Sequence, residues 1–240
     1  VRPPAPTTHN VLIVALEQPL DAHTGFSVWP MNSLAALVRR LHEAGADIIV
    51  LDVPALARSF ERETPDPGET ELAAAIAQHG KVILPMHIDS DGAPRSAVPQ
   101  AVAAYACGRG ELPRPIGLQP GFLALPPVTL IQAAVGIGAN NVYPSVDGVV
   151  REAPLAISWQ DSLFPSLWTE IVRVADGLPP GSLRLGRGRA QLGQRSFPIT
   201  PAGEVMVNYR GGYRDFPRLS YHALRAMTAA QLRSAVAGKI

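Results

Sequence analysis

Three stretches of strand length are apolar almost from end to end: NVLIVAL at 10–16, ADIIVLDV at 46–53 and KVILPMHI at 81–88. A half-buried strand alternates apolar with polar residues, so continuous runs describe strands covered on both faces. Helical patterns lie between them. Residues 32–44, NSLAALVRRLHEA, put Leu34, Leu37, Val38 and Leu41 on one face, with Asn32 or Ser33 as N-cap and Gly45 just past the end. Residues 68–80, GETELAAAIAQHG, form a second helix closed by Gly80. Strand, helix, strand, helix, strand at these intervals implies right-handed crossovers and a parallel sheet with helices over its faces. The expected fold class is α/β, with a parallel-sheet core of β-α-β-α-β units.

The pattern then loosens. Residues 89–127 are rich in Pro and Gly, with short apolar pieces such as AVAAYA and GFLAL, and predict an irregular or partly helical insertion over one end of the sheet. A short helix near 127–134 and a strand should follow. NNVYPSVDGVVREAPL (140–155) reads as a strand, a turn at Asp147–Gly148 and the returning strand of a hairpin. FPSLWTEIVRVADG (164–177) predicts a helix with Pro165 near its first turn and Gly177 at its close. A C-terminal β-meander and two short helices, in SYHALRA and TAAQLRSAVAG, complete the pattern. Residues 1–240 read as one domain, with 1–9 as a stiff extended lead-in. The opening RPPAP and the closing LRSAVAGKI, a helix followed by Gly238 and the first residues of another strand, are expected of a domain excised from a longer protein.

Composition narrows the classes of function. At 240 residues and 47% hydrophobic content, the chain can bury a full core. Its 21 basic and 20 acidic residues are spread along the sequence, so neither a nucleic-acid footprint nor a polybasic membrane arm is expected. One cysteine, Cys107, rules out an internal disulfide framework and a Cys-rich zinc site. No stretch reaches the roughly 18 apolar residues of a spanning helix, and the start shows no signal-peptide core. The histidines at 9, 23, 42, 79, 87 and 222 have no metal-ligand spacing. GIGANN and GRGRAQLG match no phosphate loop and read as turns, and there is no Gly-x-Ser-x-Gly elbow. Neither a metal nor a cofactor is expected.

Glu17, Asp52 and the Met86–His87 pair fall at the carboxyl ends of the first three strands, where open α/β sheets take ligands. Neighbouring strands lie about 4.8 Å apart, so pairing of the first two would bring Glu17 beside Asp52 and call for a compensating group. Each acid can equally cap a loop or face solvent. Trp29, in FSVWPMNS, either plugs the sheet end or walls a pocket. The loop in ARSFERETPDPGETEL is solvated or serves as a lid. Arg151 either pairs with Asp147 across the turn or answers the acids at the sheet end.

The ordered set of Glu17 after the first strand, Gly25-x-x-x-Trp29-Pro30, AGADIIVLDV, ETELAAAI, VILP, NNVYPSVDGVVREAPL, FPSLWTEI and VNYRGGYRDFPRLSYHALRA leading to VAGKI resembles the type-2 CHASE domain. That is an extracytoplasmic sensory module associated with cyclases and histidine kinases. The resemblance implies a periplasmic or extracellular sensor without catalysis of its own, responding to a small molecule or partner protein. It also implies flanking transmembrane helices, a cytoplasmic output such as an adenylate cyclase, diguanylate cyclase or histidine kinase, and a homodimer. The positions that carry over are Glu17, Trp29, Asp52, Asn140, Asp147 and Arg151, to which His87 is added for its place at a strand end. Met31, Asn32 and Ser33 depart from the aromatic and arginine that the family often has there. Two other readings are a hydrolase using Glu17 and Asp52 as paired carboxylates and a ligand-free structural or dimerisation module.

Overall fold

The computed structural model describes residues 10–16, 29–53, 56, 67–89, 100–107, 122–159, 162–212 and 215–240. The lead-in 1–9, Glu17 and the loop 57–66 lie outside the described residues.

The sheet is built around β3 (Val82–Asp89). Its first residues pair in parallel with β2 (Ile49–Val50). β5 (Gly136–Ala139) also pairs in parallel, from Ile83↔Gly136 to Met86↔Ala139. Beyond these, His87–Asp89 pair antiparallel with β4 (Phe122–Ala124). Side chains alternate along β3. Val82 and Leu84 enter the core under α1 (Met31–Glu43) and α2 (Glu69–His79), whereas Ile83 enters the core under α5 (Leu167–Ala175). Cover on both faces is what a continuous apolar run demands.

Within the span expected to be irregular or partly helical, α3 (Gln100–Ala103) is the helical part, whereas β4 joins the main sheet instead of lying over its end. Leu123, Leu125 and Val102 pack there against Met86 and Ile88, with Ile131 of α4 (Val128–Ala133). α1 begins two to three residues earlier than Asn32 or Ser33 as N-cap would place it. Pro30 is its N-cap, and the Pro30 carbonyl accepts from the amides of Ser33 and Leu34 at 3.0 and 3.2 Å.

The Gly136-Ile137-Gly138-Ala139 stretch is not a turn but a fully buried strand. Its glycines serve close approach: a Cβ at Gly138 would stand 2.6 Å from the Cα of Leu167, and one at Gly136 would stand 2.6 Å from Oε2 of Glu170. Glu170 and Arg173 form a buried ion pair at 2.8 Å, and Arg173 also donates to the carbonyls of Val135 and Leu178, both at 2.7 Å. Burial pushes the Glu170 carboxyl up while the guanidinium pulls it down, and burial wins. Arg173 thereby ties α5 to the start of β5.

The turn at Asp147–Gly148 forms, with Gly148 at φ 80° and its amide 2.8 Å from the carbonyl of Ser145. The expected hairpin does not. β6 (Glu152–Pro154) pairs with β12 (Glu204–Met206), and β7 (Ala156–Trp159) pairs with β8 (Ser162–Pro165), while β5 stays in the main sheet. Pro165 closes β8 and α5 starts after Ser166, so the proline is outside the helix. The meander β9 (Leu183–Leu185), β10 (Arg189–Leu192) and β11 (Arg195–Pro198) is as expected, and so are α6 (Tyr221–Ala226) and α7 (Ala229–Val236).

β1 (Ile13–Ala15) pairs in parallel with β13 (Arg218–Ser220), not with β2. Between β1 and β2 runs the backbone of Lys239 and Ile240, bonded to both sides. The direct pairing of the first two strands, on which a close approach of Glu17 and Asp52 was conditional, does not occur: the two strands lie one place apart. Among the described residues no helix is long and apolar enough to cross a membrane. Because the added methyl of Gly138→Ala meets backbone rather than a yielding side chain, the substitution should lower stability in urea titration by about 1–3 kcal/mol.

Candidate functional site

At the carboxyl ends of β2, β3 and β5 three side chains are joined. Asn140, the first residue after β5, donates from Nδ2 to Oδ1 of Asp52 at 3.0 Å. Its Oδ1 lies 2.9 Å from Nδ1 of His87. A carboxylate only accepts, so Asp52 fixes which way the amide of Asn140 faces; the amide oxygen in turn requires a proton on His87 Nδ1. In the neutral ring Nε2 then keeps its lone pair. Asp52 and His87 are exposed and Asn140 is half-buried. Among the described residues neither the second carboxylate oxygen of Asp52 nor Nε2 of His87 has a further hydrogen-bond partner, and with the ring neutral both are acceptors.

Backbone sets this geometry. The amide of Asn140 donates to the Met86 carbonyl at 3.0 Å, which continues the β3–β5 ladder one residue past β5. Asn141, only 3% exposed, uses its side chain otherwise: Oδ1 accepts from the Ile88 amide at 3.0 Å and Nδ2 donates to the Ile88 carbonyl at 2.7 Å. It takes the place of a further strand residue beside β3. Asn141 is not among the candidate residues read from the sequence, although an Asn pair directly after a buried strand is a visible signal.

Trp29 is buried, with its ring edge-on to Tyr221 of α6 at 4.5 Å. It also lines an apolar cavity of about 700 Å³ between β1 and β2, and Asp52 lines the same cavity. Both expectations for Trp29, packing and pocket wall, describe it. Asp147 and Arg151 are joined by two hydrogen bonds, 2.8 and 2.7 Å, each residue half-exposed. Asp147 also accepts from the Val149 amide. The guanidinium holds the Asp147 carboxyl below the ordinary carboxylate range, and the aspartate raises Arg151. Arg151 is engaged with Asp147, while the amide of Asn140 answers Asp52.

Two further groups bear on chemistry. His42 and His79, in the last turns of α1 and α2, face each other with Nδ1 atoms 3.3 Å apart. Burial, His42 and Lys81 lower the basicity of His79, against an opposing pull from Asp47. Burial pushes the Cys107 thiol up to about 12, so it is not a nucleophile near neutral pH. Among the described residues no three His, Cys, Asp or Glu side chains gather closely enough to hold a metal ion.

These features define an α/β domain with its linked polar groups at the carboxyl edge of a parallel sheet, where such sheets take ligands. The CHASE2 domain family matches residues 1–240, and the chain belongs to that family of extracytoplasmic sensory domains of signalling proteins. No curated protein and no solved structure matches it.

The adjacent asparagines should separate in mutation. Asn141→Ala strands a buried amide and carbonyl of Ile88 and should cost about 1–3 kcal/mol in urea unfolding. Asn140→Ala should leave stability nearly unchanged and release His87, read by nitrogen-15 NMR as loss of the single Nδ1–H tautomer.

The histidine pair predicts a pH dependence. The folded state depresses His79, so the unfolded chain binds its proton more readily, and the stability present above about pH 6.5 is lost as pH falls below it. The melting temperature should drop between pH 7.5 and 5.5, and His79→Gln should make that drop smaller.

Proposed function

We propose that residues 1–240 are the extracytoplasmic sensor domain of a membrane-bound receptor, and that its ligand is held at the Asp52–Asn140–His87 chain. The observation that carries this reading is the linkage itself: side chains from β3 and from just past β2 and β5, bridged by one amide, with no further partner at either end among the described residues. Two acceptors facing outward suit a small molecule rich in N–H or O–H donors, such as an amine, an amide or a polyol. Trp29 and the half-exposed Asp147–Arg151 pair are further candidate contacts, and so is Glu17.

The output is a cytoplasmic cyclase or histidine kinase reached through flanking transmembrane helices, and the receptor works as a homodimer. Binding shifts that output only by the ligand's differential affinity for two arrangements of the domain. A carboxylate-pair hydrolase has weaker support, because Asp52 is hydrogen-bonded to an amide and its strand is not paired with β1.

The test is a thermal-shift screen of amines, amides and polyols on the wild type and on Asn140→Ala. A ligand at 100 times its dissociation constant should stabilise the wild type by about 2.7 kcal/mol, and the variant should lose most of that gain. A ligand that stabilises both equally moves the site elsewhere, and no response across the library removes the small-molecule reading.

A further inference from the structure

The cavity between β1 and β2 has the form of a slot for a strand. Its walls are the two strands, Leu37 and Leu41 of α1 on one face and Ile171 of α5 on the other. One end of the slot already holds backbone. The Leu12 amide donates to the Ile240 carbonyl at 2.9 Å and the Ile240 amide to the Asn10 carbonyl at 2.8 Å; on the opposite edge the Asp47 amide donates to the Lys239 carbonyl at 2.9 Å. Alternating bonds to two flanking strands are the parallel ladder pattern.

Past these two residues, no ladder joins the two edges across the slot among the described residues. The Ile13 amide donates to Pro217, on the β13 side, so Leu12 and Val14 direct their backbone groups into the slot. The amides of Ile49 and Leu51 donate to Lys81 and Ile83, so Ile48 and Val50 direct theirs into it from the opposite side; the Ile48 amide already reaches the Lys239 carbonyl at 3.4 Å, which leaves the Ile48 carbonyl and the backbone of Val50 for a further residue. Ile48 is buried and Leu12, Val14 and Val50 are half-buried; backbone groups withdrawn from water call for partners, and the apolar side chains lining the slot lack packing on the side that faces it.

We infer that the slot receives a further parallel strand, an apolar segment of the same polypeptide running on from Ile240. Its first residue bonds Ile48 and Val50, and its second bonds Leu12 and Val14. Any other segment would have to share the line along which the backbone leaves Ile240. Helices cover both faces, so the strand is apolar on both. It runs towards Asp52 and places its far end beside the polar chain at the sheet edge. The inference does not depend on what that chain binds.

Amide exchange tests it residue by residue. In the 240-residue chain Val14 and Val50 should exchange fast while Ile13 and Leu51 are protected. Five Val and Ile residues added after Ile240 should slow Val14 and Val50 roughly tenfold or more, and a Gly/Ser segment of the same length should not. Equal exchange with either extension overturns the inference. So does protection without any extension, which puts another segment in the slot, and so does protection that grows with protein concentration, which puts a second copy there. If the unextended chain is too loose for resolved amides, the comparison moves within the apolar extension. Proline at its second position removes the N–H meant for the Leu12 carbonyl and should speed exchange at Val14; unchanged exchange there counts against the strand.

Discussion

β3 hydrogen-bonds to β2, β5 and β4, and its side chains enter cores on both faces of the sheet. A strand so enclosed has no freedom of register, because a slip of one residue would exchange Val82 and Leu84 for Ile83 between two differently shaped cores. α1 and α2 are then placed by the face that Val82 and Leu84 present, and α5 by the opposite face. Close approach of α5 in turn requires glycine at 136 and 138. The buried Glu170–Arg173 pair is tolerable for the same reason. Arg173 also satisfies two backbone carbonyls, so the pair is hydrogen-bonded rather than merely apposed.

This hierarchy explains what could be read from the chain and what could not. The runs at 46–53 and 81–88 were legible as enclosed strands because burial on two faces leaves no polar position in the alternation. The helices between them were legible from period and from the glycines at their ends. GIGA fell in the strand expected after 127–134 yet also read as a turn, because composition does not distinguish a glycine chosen for a turn from one chosen for space. Only the position of Leu167 shows that Gly138 belongs to the second kind. The hairpin after Asp147 was misread for a related reason. The turn is local, but the partner of β6 is β12, some fifty residues away, and a cross-strand partner leaves no mark on local periodicity.

The candidate site was half legible. Asp52 and His87 followed from a rule about strand ends, and Asn140 came only with the family resemblance. Their linkage through one amide depended on the β5 ladder running one residue past the strand, which residue types do not disclose. Asn141 shows how fine the distinction is. Adjacent residues of one type point in opposite senses at a strand end, one towards the polar edge and the other into the backbone of Ile88. The Asp147–Arg151 pair was open between two partners from sequence, and the four-residue spacing across a closed turn decides it geometrically.

A sensory domain must turn occupancy of a small site into a change that reaches the rest of the molecule. Here the polar chain spans three strands with helices on both faces, so a ligand at the proposed site, bridging Asp52 and His87, would act on the relative placement of β2 and β3. Asp52 also lines the cavity beside β1. The same displacement of β2 would therefore change the width of the slot in which Lys239 and Ile240 are held between the two strands. A change of that width works against a backbone ladder rather than against mobile side chains. The ladder admits few intermediate spacings, which favours a choice between discrete arrangements over a graded one.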